Sequence, residues 1–568
     1  MKLFRKIQKW FENQENLYYL FLIILIVPNI VLCFTEPMPL VAKVCNVLLP
    51  FSIYHMIMSW SGNCGKTFWI LFPFLFFGAF QIVLLYLFGQ SVIAVDMFLN
   101  LVTTNPGEAL ELLDNLIPAI IIVVLLYIPA LVLAAVAVSE KRRLSETFVR
   151  RERKRARITV IAGILSLVAA YLFDARYELK SDLYPANVCY NIALAFQRTA
   201  QTQHYAETSK DFTFQAKTTR PEKNREVYVM VIGETSRAAN WSIYGYNRNT
   251  NPELTKIKGL TAFSHVLTES NTTHKSVPML MSSVTAHDFN SIYRQKGIIT
   301  AFKEAGYRTA FFSNQRYNHS FIDFFGKEAD ICDFIKEDTG DGSYNPSDDE
   351  LLKLVAAELA ENASKQFIVL HTYGSHFNYR ERYPADNAFF LPDFPVDAEL
   401  KYKDNLINAY DNSIRYTDNF LARLIRMLQE QDIDAAMLYT SDHGEDIFDD
   451  DRHLFLHASP VPSYYQIHVP FLVWMSDNYR KNYPDFLKNA EINRQKNISS
   501  SASFFQTMLE LGGIDTPSRN DSLSVINASY TEKNRVYLND HNEARSLNDI
   551  GMREEDFTML QTKGIVYR

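Results

Sequence analysis

Apolar residues run almost unbroken through 18–34, 68–88, 116–138 and 158–173. Each stretch is near the roughly 20 residues that cross the hydrocarbon core of a bilayer. A fifth, 39–60, is interrupted by Lys43, Asn46, Pro50 and His55, and by its own pattern reads as a buried or interfacial helix. Past residue 173 the periodicity changes. Residues 174–217 carry apolar positions at helical spacing, clearest in YPANVCYNIALAFQRT, which predicts a helix along a membrane followed by a connector. The Val- and Ile-rich run EVYVMVIGE, closing on Gly233 and Glu234, predicts a buried parallel strand. Further strands are predicted at 307–314, 366–374, 434–445 and 468–476, and helices at 348–363, 402–429 and 500–511. Strands alternating with helices predict an α/β domain around a mainly parallel sheet. The chain thus reads as a transmembrane domain over 1–173, an amphipathic helix and linker over 174–217, and an extramembrane domain over 218–568, the last long enough for one large core.

Charge settles the weak stretch. No Lys or Arg occurs between Lys66 and Lys141, whereas Arg142 to Arg157 is crowded with them, and the N-terminus carries Lys2, Arg5, Lys6 and Lys9. Basic loops stay on the cytoplasmic side, so an even number of spans separates these two clusters and 39–60 has to span. The expectation is five transmembrane helices with the N-terminus inside. The acidic loop with Asp96, Glu108, Glu111 and Asp114 then lies outside, as does everything after residue 173. No small-x-small cleavage site follows the first apolar stretch, which reads as an uncleaved helix. Lys43 is expected to reach the interface and His55 to satisfy a neighbouring carbonyl. With basic charge concentrated in one loop, the net charge of −7 says little about partners, and a nucleic-acid binder is disfavoured. Five cysteines without a C-x-x-C pair exclude a disulfide scaffold, a zinc ribbon and a thioredoxin-like site.

Sites in open α/β sheets lie beyond the carboxyl ends of the strands. Glu234 follows one predicted strand, Asp442, His443 and Glu445 close another, and His371 and His376 belong to a third. Two carboxylates and an imidazole converging there suit Zn²⁺, or less selectively Mn²⁺, over Mg²⁺ or Ca²⁺. Singly these motifs are weak: Asp-His-Gly after a strand is commonly a polar turn. SNTTHKSVPMLMSS (270–283) adds a row of N-cap residues before an apolar stretch. That places one hydroxyl at a helix N-terminus, where backbone N–H groups favour a phosphate. Beside a metal such a hydroxyl is a nucleophile with a lowered pKa.

Together, GETSRAANWSIYGYNRNTNPEL (233–254), TTHKSVPMLMS (272–282), VLHTYGSHFNYRERYP (369–384), NAYDNSIRYTDNFL (408–421) and SDHGEDIFDDDRHLFLHASP (441–460) resemble the phosphoethanolamine transferases. These are a membrane-anchored, sulfatase-like branch of the alkaline phosphatase superfamily, and the five-span layout is similar too. The resemblance implies Glu234, Asp442 and His443 as ligands of one tightly bound zinc, with Thr273 as the nucleophile that also touches the metal. It implies His376 and His457 as the pair that holds the phosphate, the acceptor or a second zinc, and Lys275 and Asn271 as substrate-binding residues. The implied protein is a monomer of the bacterial inner membrane with a periplasmic catalytic domain, of the kind linked to polymyxin resistance. The implied donor is phosphatidylethanolamine, and the acceptor is a phosphate or sugar of lipopolysaccharide, lipid A or core, or another envelope glycan.

Two departures stand out. Glu269 and Met279 occupy positions where many members carry a disulfide flanking the nucleophile, so the Thr273 loop is expected to be held by packing alone, and Cys189 and Cys332 allow at most one bridge. The acidic stretch Asp449, Asp450 and Asp451 reads as a solvated loop or as an acceptor contact. Among rivals, a sulfatase needs a C/S-x-P-x-R run, which THKSVP does not supply, and a lipoteichoic-acid-type phosphoglycerol transferase has segments unlike GETSRA and SVPMLMS. A transporter would need paired charges within the spans, which are lacking.

Overall fold

The computed structural model describes residues 9–36, 38–88, 92–98, 116–174, 177–221, 225–336 and 345–567. Lys2, Arg5, Lys6, Glu108, Glu111 and Asp114, used above to orient the chain, lie outside the described residues. The chain forms two compact units, Met1–Arg198 and Thr199–Arg568.

The first unit is helical. Helix α1 (Gln14–Thr35) starts where the Asn13 side chain accepts from the backbone N–H of Glu15. Helix α2 (Leu40–Met58) covers the interrupted stretch, and α3 (Cys64–Ile70) and α4 (Phe72–Phe88) follow. Next come α5 (Ile117–Ser139), α6 (Glu146–Phe173) and α7 (Ala186–Gln203). Helices α1, α2, α5 and α6 are long and apolar enough to cross a membrane. The stretch expected as one straight span at 68–88 is instead a pair bent by 62°. The basic run differs as well. From Glu146 onward it is helix rather than loop, because Ser145 caps it and Glu152, buried among Arg151, Arg155 and His55, fastens it to α2. Gly163 brings α6 against Leu49 and Ser52 of α2, with no room for a Cβ. Tyr184 and Asn191, at the start of the amphipathic segment, bond to the carbonyls of Phe74 and Ile93 within this unit.

The second unit is a seven-stranded sheet. Strands β1 (Glu226–Gly233), β2 (Leu260–Phe263), β3 (Arg308–Ser313), β4 (Ile331–Phe334), β5 (Lys365–His371), β6 (Asp434–Ser441) and β7 (Phe471–Met475) are ordered β2-β7-β6-β1-β5-β3-β4. Strands β6, β1, β5, β3 and β4 run parallel, while β7 is antiparallel to both its neighbours. The sheet is therefore mixed: four of its six pairings are parallel, and the two antiparallel ones are both made by β7. Between β6 and β7 the only α-helix is the single turn Tyr464–Ile467, and a parallel return usually needs a longer crossover helix. Strands β2 and β4, four residues each, escaped the pattern reading because short edge strands carry little alternation. Along β1, Val227, Val229 and Val231 enter one core and Tyr228, Met230 and Ile232 the other, which is why the strand is apolar throughout 227–232. Helices α8 (Thr273–Met281), α9 (Asp349–Ala360), α10 (Lys403–Gln429) and α11 (Ser500–Leu511) cover the sheet, and a hairpin of β8 (Val536–Leu538) and β9 (Ala544–Ser546) follows.

Candidate metal centre

Strand register builds the site. Gly233 of β1 pairs with Ser441 of β6, so the next residues, Glu234 and Asp442, emerge side by side at the carboxyl end of the sheet. Thr235 holds a positive φ of 57°, uncommon for a β-branched residue. It is fixed there by three bonds: its N–H to Asp442 Oδ1 (3.1 Å), its hydroxyl to Glu234 Oε1 (2.7 Å), and its carbonyl accepting from the Tyr410 hydroxyl (2.7 Å). Gly374 lies so close that a Cβ there would stand 2.5 Å from the Glu234 carbonyl.

Thr273 is the first residue of α8. Its Oγ1 is 3.3 and 3.4 Å from the Glu234 oxygens and 3.1 Å from His443 Nε2. His443 Nε2 is also 3.5 Å from Glu234 Oε1 and 3.2 Å from Asp442 Oδ2. His443 Nδ1 lies 3.0 Å from the Gly444 carbonyl, so in the neutral ring Nδ1–H donates there and Nε2 turns a lone pair toward two carboxylates. Asp442 Oδ2 is buried and receives no hydrogen bond. Asp442 Oδ2 and the His443 Nε2 lone pair, 3.2 Å apart, repel, and a cation between them removes the conflict. Separations of 3.1–3.5 Å match the edges, about 3.3 Å, of a tetrahedron with zinc–ligand bonds of about 2.0 Å. Among the described residues, Glu234, Asp442 and His443 are the one group of three such side chains close enough to share an ion. Burial and mutual repulsion push the Glu234 carboxyl up to about 7, and burial alone does most of the same for Asp442, also about 7. Burial lowers His443.

The other expected residues divide. His457 stacks near His443, ring centres 4.2 Å apart, and His376 lies 6.0 Å from His457. His376 Nδ1 bonds the Phe377 carbonyl at 2.6 Å, and His457 Nδ1 is 3.4 Å from Glu445 Oε2. Burial, then Arg382, pulls His376 down to about 3, and burial drives His457 well below its ordinary value. Both rings are therefore neutral near pH 7. His371 ends β5 one step short of the site, its Nδ1 3.3 Å from the Ser313 hydroxyl. Asn271 and Lys275 bond to protein. The Asn271 amide donates to the Ser459 carbonyl and Gln466 Oε1 and accepts from the Tyr537 hydroxyl, and Lys275 Nζ donates to the Asn539 carbonyl.

The departures also resolve. Buried Glu269 accepts from the Ser501 hydroxyl, and its carbonyl accepts from Leu538 N–H, so the Thr273 loop is held by hydrogen bonds as well as by packing. Met279 is core. The acidic stretch is solvated only in part: Asp451 is exposed, but its two neighbours are not free in solvent. Asp449 pairs with buried Arg237 (2.6 Å), and Asp450 with Arg452, which also grips Asp556. All five cysteines are free thiols. Gln315, just past β3, donates to Glu234 Oε2 (2.9 Å) and to the Thr372 carbonyl (3.1 Å). The strand-end rule that found Glu234 covers this residue too, but a lone Gln carries no metal-ligand signature.

A family model described as Sulfatase matches residues 226–514, just over half of the chain and the whole of this sheet. The chain belongs to the sulfatase family. A second model, described as Phosphoethanolamine transferase EptA/EptB, matches residues 63–200. The Kdo(2)-lipid A phosphoethanolamine 7''-transferase of Escherichia coli K12 is 32% identical over 304 residues, 51% of each chain. Phosphoethanolamine transferase EptA of the same strain is 29% identical over 311 residues, 52% of this chain and 54% of its own. The chain thus spans about half the length of the curated relatives it matches. The integral membrane lipooligosaccharide phosphoethanolamine transferase A of Neisseria meningitidis superposes over 90% of this sulfatase-family chain and 97% of its own, with a TM-score of 0.71 at 20% identity. That shows a common fold. The periplasmic domain of Escherichia coli EptC, solved in complex with zinc, matches 60% of this chain and 97% of its own, with a TM-score of 0.54 at 24% identity.

Proposed function

We propose that the chain is a zinc-dependent phosphoethanolamine transferase moving phosphoethanolamine from phosphatidylethanolamine to lipid A, core or another envelope glycan. One observation carries the reading: the Thr273 hydroxyl stands at a helix N-terminus within 3.5 Å of both Glu234 and His443. The names of the relatives supply the group transferred. In this reading Glu234, Asp442, His443 and the Thr273 oxygen hold one zinc ion. When bound, it supplies a Lewis acid that lowers the pKa of a hydroxyl and offsets phosphoryl charge.

Thr273 Oγ1 attacks the donor phosphorus, its O–P bond forms as the bond to the diacylglycerol oxygen breaks, and its proton ends on the diacylglycerol released into the bilayer. Acceptor oxygen then attacks the phosphothreonine and frees Thr273. A covalent intermediate lets two bulky amphiphiles visit in turn. Neutral His376 and His457 are placed to take a proton and return it. Five spans, counting the bent α3–α4 pair as one, anchor a monomer in the bacterial inner membrane; 1–173 is the anchor, 174–217 the connection and 218–568 the periplasmic catalytic domain.

Incubating the protein with phosphatidylethanolamine alone is expected to leave a phosphoethanolamine adduct on Thr273 in a peptide mass map. Thr273→Ala is expected to abolish diacylglycerol release, and Thr273→Ser to retain part of it. An adduct on Thr272 or Thr235, or turnover by Thr273→Ala, overturns the assignment.

A further inference from the structure

Among the described residues of the second unit six large apolar side chains are exposed; Ile492 and Val566 stand apart, and the other four lie between 389 and 400. Of its large apolar side chains, Phe389, Leu391 and Phe394 are 57%, 66% and 70% exposed, and Leu400 follows closely. Three such residues within six positions, in the run FFLPDF, are a built feature rather than scatter.

The loop is held out rigidly. Asn412 Oδ1 accepts the N–H groups of Phe389 and Phe390 at 2.9 and 2.8 Å, and its amide donates back to the Phe390 carbonyl. Asn408 and Asn405 donate to the Pro392 and Pro395 carbonyls. Asp393 turns inward to the Tyr383 hydroxyl (2.7 Å) and Arg380 (3.1 Å), leaving the apolar neighbours on either side pointing out. The guanidinium groups of Arg415 and Arg248 lie over the Phe389 and Phe390 rings at 4.1 and 3.9 Å. The three asparagines belong to α10, whose Tyr410 bonds Thr235 and whose Ser413 bonds Ser375 in the site. One rigid helix therefore carries both the loop and the backing of the metal centre.

We propose that residues 389–394 form a wedge that enters a lipid bilayer surface and brings the centre to its lipid substrates. The occupant follows from area and chemistry. With aromatic side chains of about 150–250 Å² each, the three tips offer roughly 300–400 Å², well short of the ~800 Å² per partner that a stable protein interface buries. A protruding apolar tip with the Arg415 guanidinium at its base, Arg248 being paired with Asp411, suits acyl chains below a layer of phosphates. The apolar helices belong to the same chain, so covalent linkage alone keeps the effective concentration of bilayer high and weak insertion is sufficient. This proposal rests on the reading of those helices as membrane spans.

The test uses full-length protein in vesicles of phosphatidylethanolamine and phosphatidylglycerol. A cysteine-free version carrying Phe394→Cys is labelled with an environment-sensitive fluorophore. Lipids bearing a quencher near the headgroup are expected to quench it and aqueous iodide to leave it bright. Quenching by iodide alone, or protection from both quenchers through contact with another protein copy, overturns the wedge. The triple variant F389S/L391S/F394S is expected to lose roughly tenfold in turnover of vesicle-borne donor through KM, while a water-soluble nitrophenyl phosphodiester of ethanolamine reacts as in the wild type. Equal turnover of vesicle-borne donor overturns the proposal. If the wild type turns over neither substrate, the transferase reading fails while the quenching result still decides the wedge.

Discussion

Each carboxylate of the centre does a job that its neighbours impose. Asp442 Oδ1 accepts the N–H groups of Thr235 and His443, which leaves Oδ2 for an ion, and Gln315 with the Thr235 hydroxyl orients Glu234. Such outer partners commonly change metal affinity by about 10- to 100-fold. Without a cation, the site makes stability depend on pH. Glu234 and Asp442 have folded pKa values raised to about 7, against about 4 unfolded. An acid with a raised folded pKa takes up a proton on folding. Its contribution is complete below about pH 4 and is lost as pH rises through about 7. Chelator-treated protein is therefore expected to lose Tm between about pH 4 and 7. The zinc-loaded protein, in which the ion stabilises both anions, is expected to keep it. Scanning calorimetry at several pH values with and without zinc checks this, with Asp442→Asn expected to bind less zinc and to flatten the chelated profile. Parallel profiles for both forms would remove the carboxylates from the metal site.

At the scale of elements, the segment carrying Thr273 is braced by parts far away in sequence. The Tyr537 hydroxyl reaches Asn271 at 2.6 Å, Asn271 reaches Gln466 and Ser459, and Gln466 reaches Asp446 at 2.6 Å. The start of α8, the loop bearing His457 and the strand β8 are thus one buried polar network, which acts as a unit when every member is satisfied. Tyr537→Phe is expected to cost about 1–3 kcal/mol, because it leaves Asn271 Oδ1 buried without that donor. With Asn271→Ala the two losses are expected to be less than additive. Denaturant melts of the two single variants and the double variant measure this. Strict additivity would show that the bond does not couple α8 to the hairpin. Asn271 was expected to bind substrate; its bond to Tyr537, 266 positions away, is a pairing that no local reading contains.

At the scale of the molecule, the proposed topology follows from Arg142 to Arg157 lying between apolar stretches. A reporter active only in the cytoplasm, fused after the last residue, is expected to stay silent, and one active only in the periplasm to work. The reverse result would invert the chain.

Local pattern was enough for much of this protein. The apolar stretches α1, α2, α5 and α6, the strands β1, β3, β5, β6 and β7 and the helices α9, α10 and α11 all follow from periodicity, because burial on one or both faces dictates side-chain type position by position. Glu234, Asp442 and His443 stand among the strand-end candidates because backbone geometry exposes polar groups there, whereas Thr273 is singled out from the polar row at 270–273 only by the family resemblance. Only the tertiary structure decided that β7 turns antiparallel, that the stretch at 68–88 bends, and that Asp449 and Asp450 face inward to arginines. It alone decided that Asn271 is a brace and that Phe389, Leu391 and Phe394 are held outward. These outcomes depend on pairings between residues far apart in the chain, whose energies no local window of sequence contains.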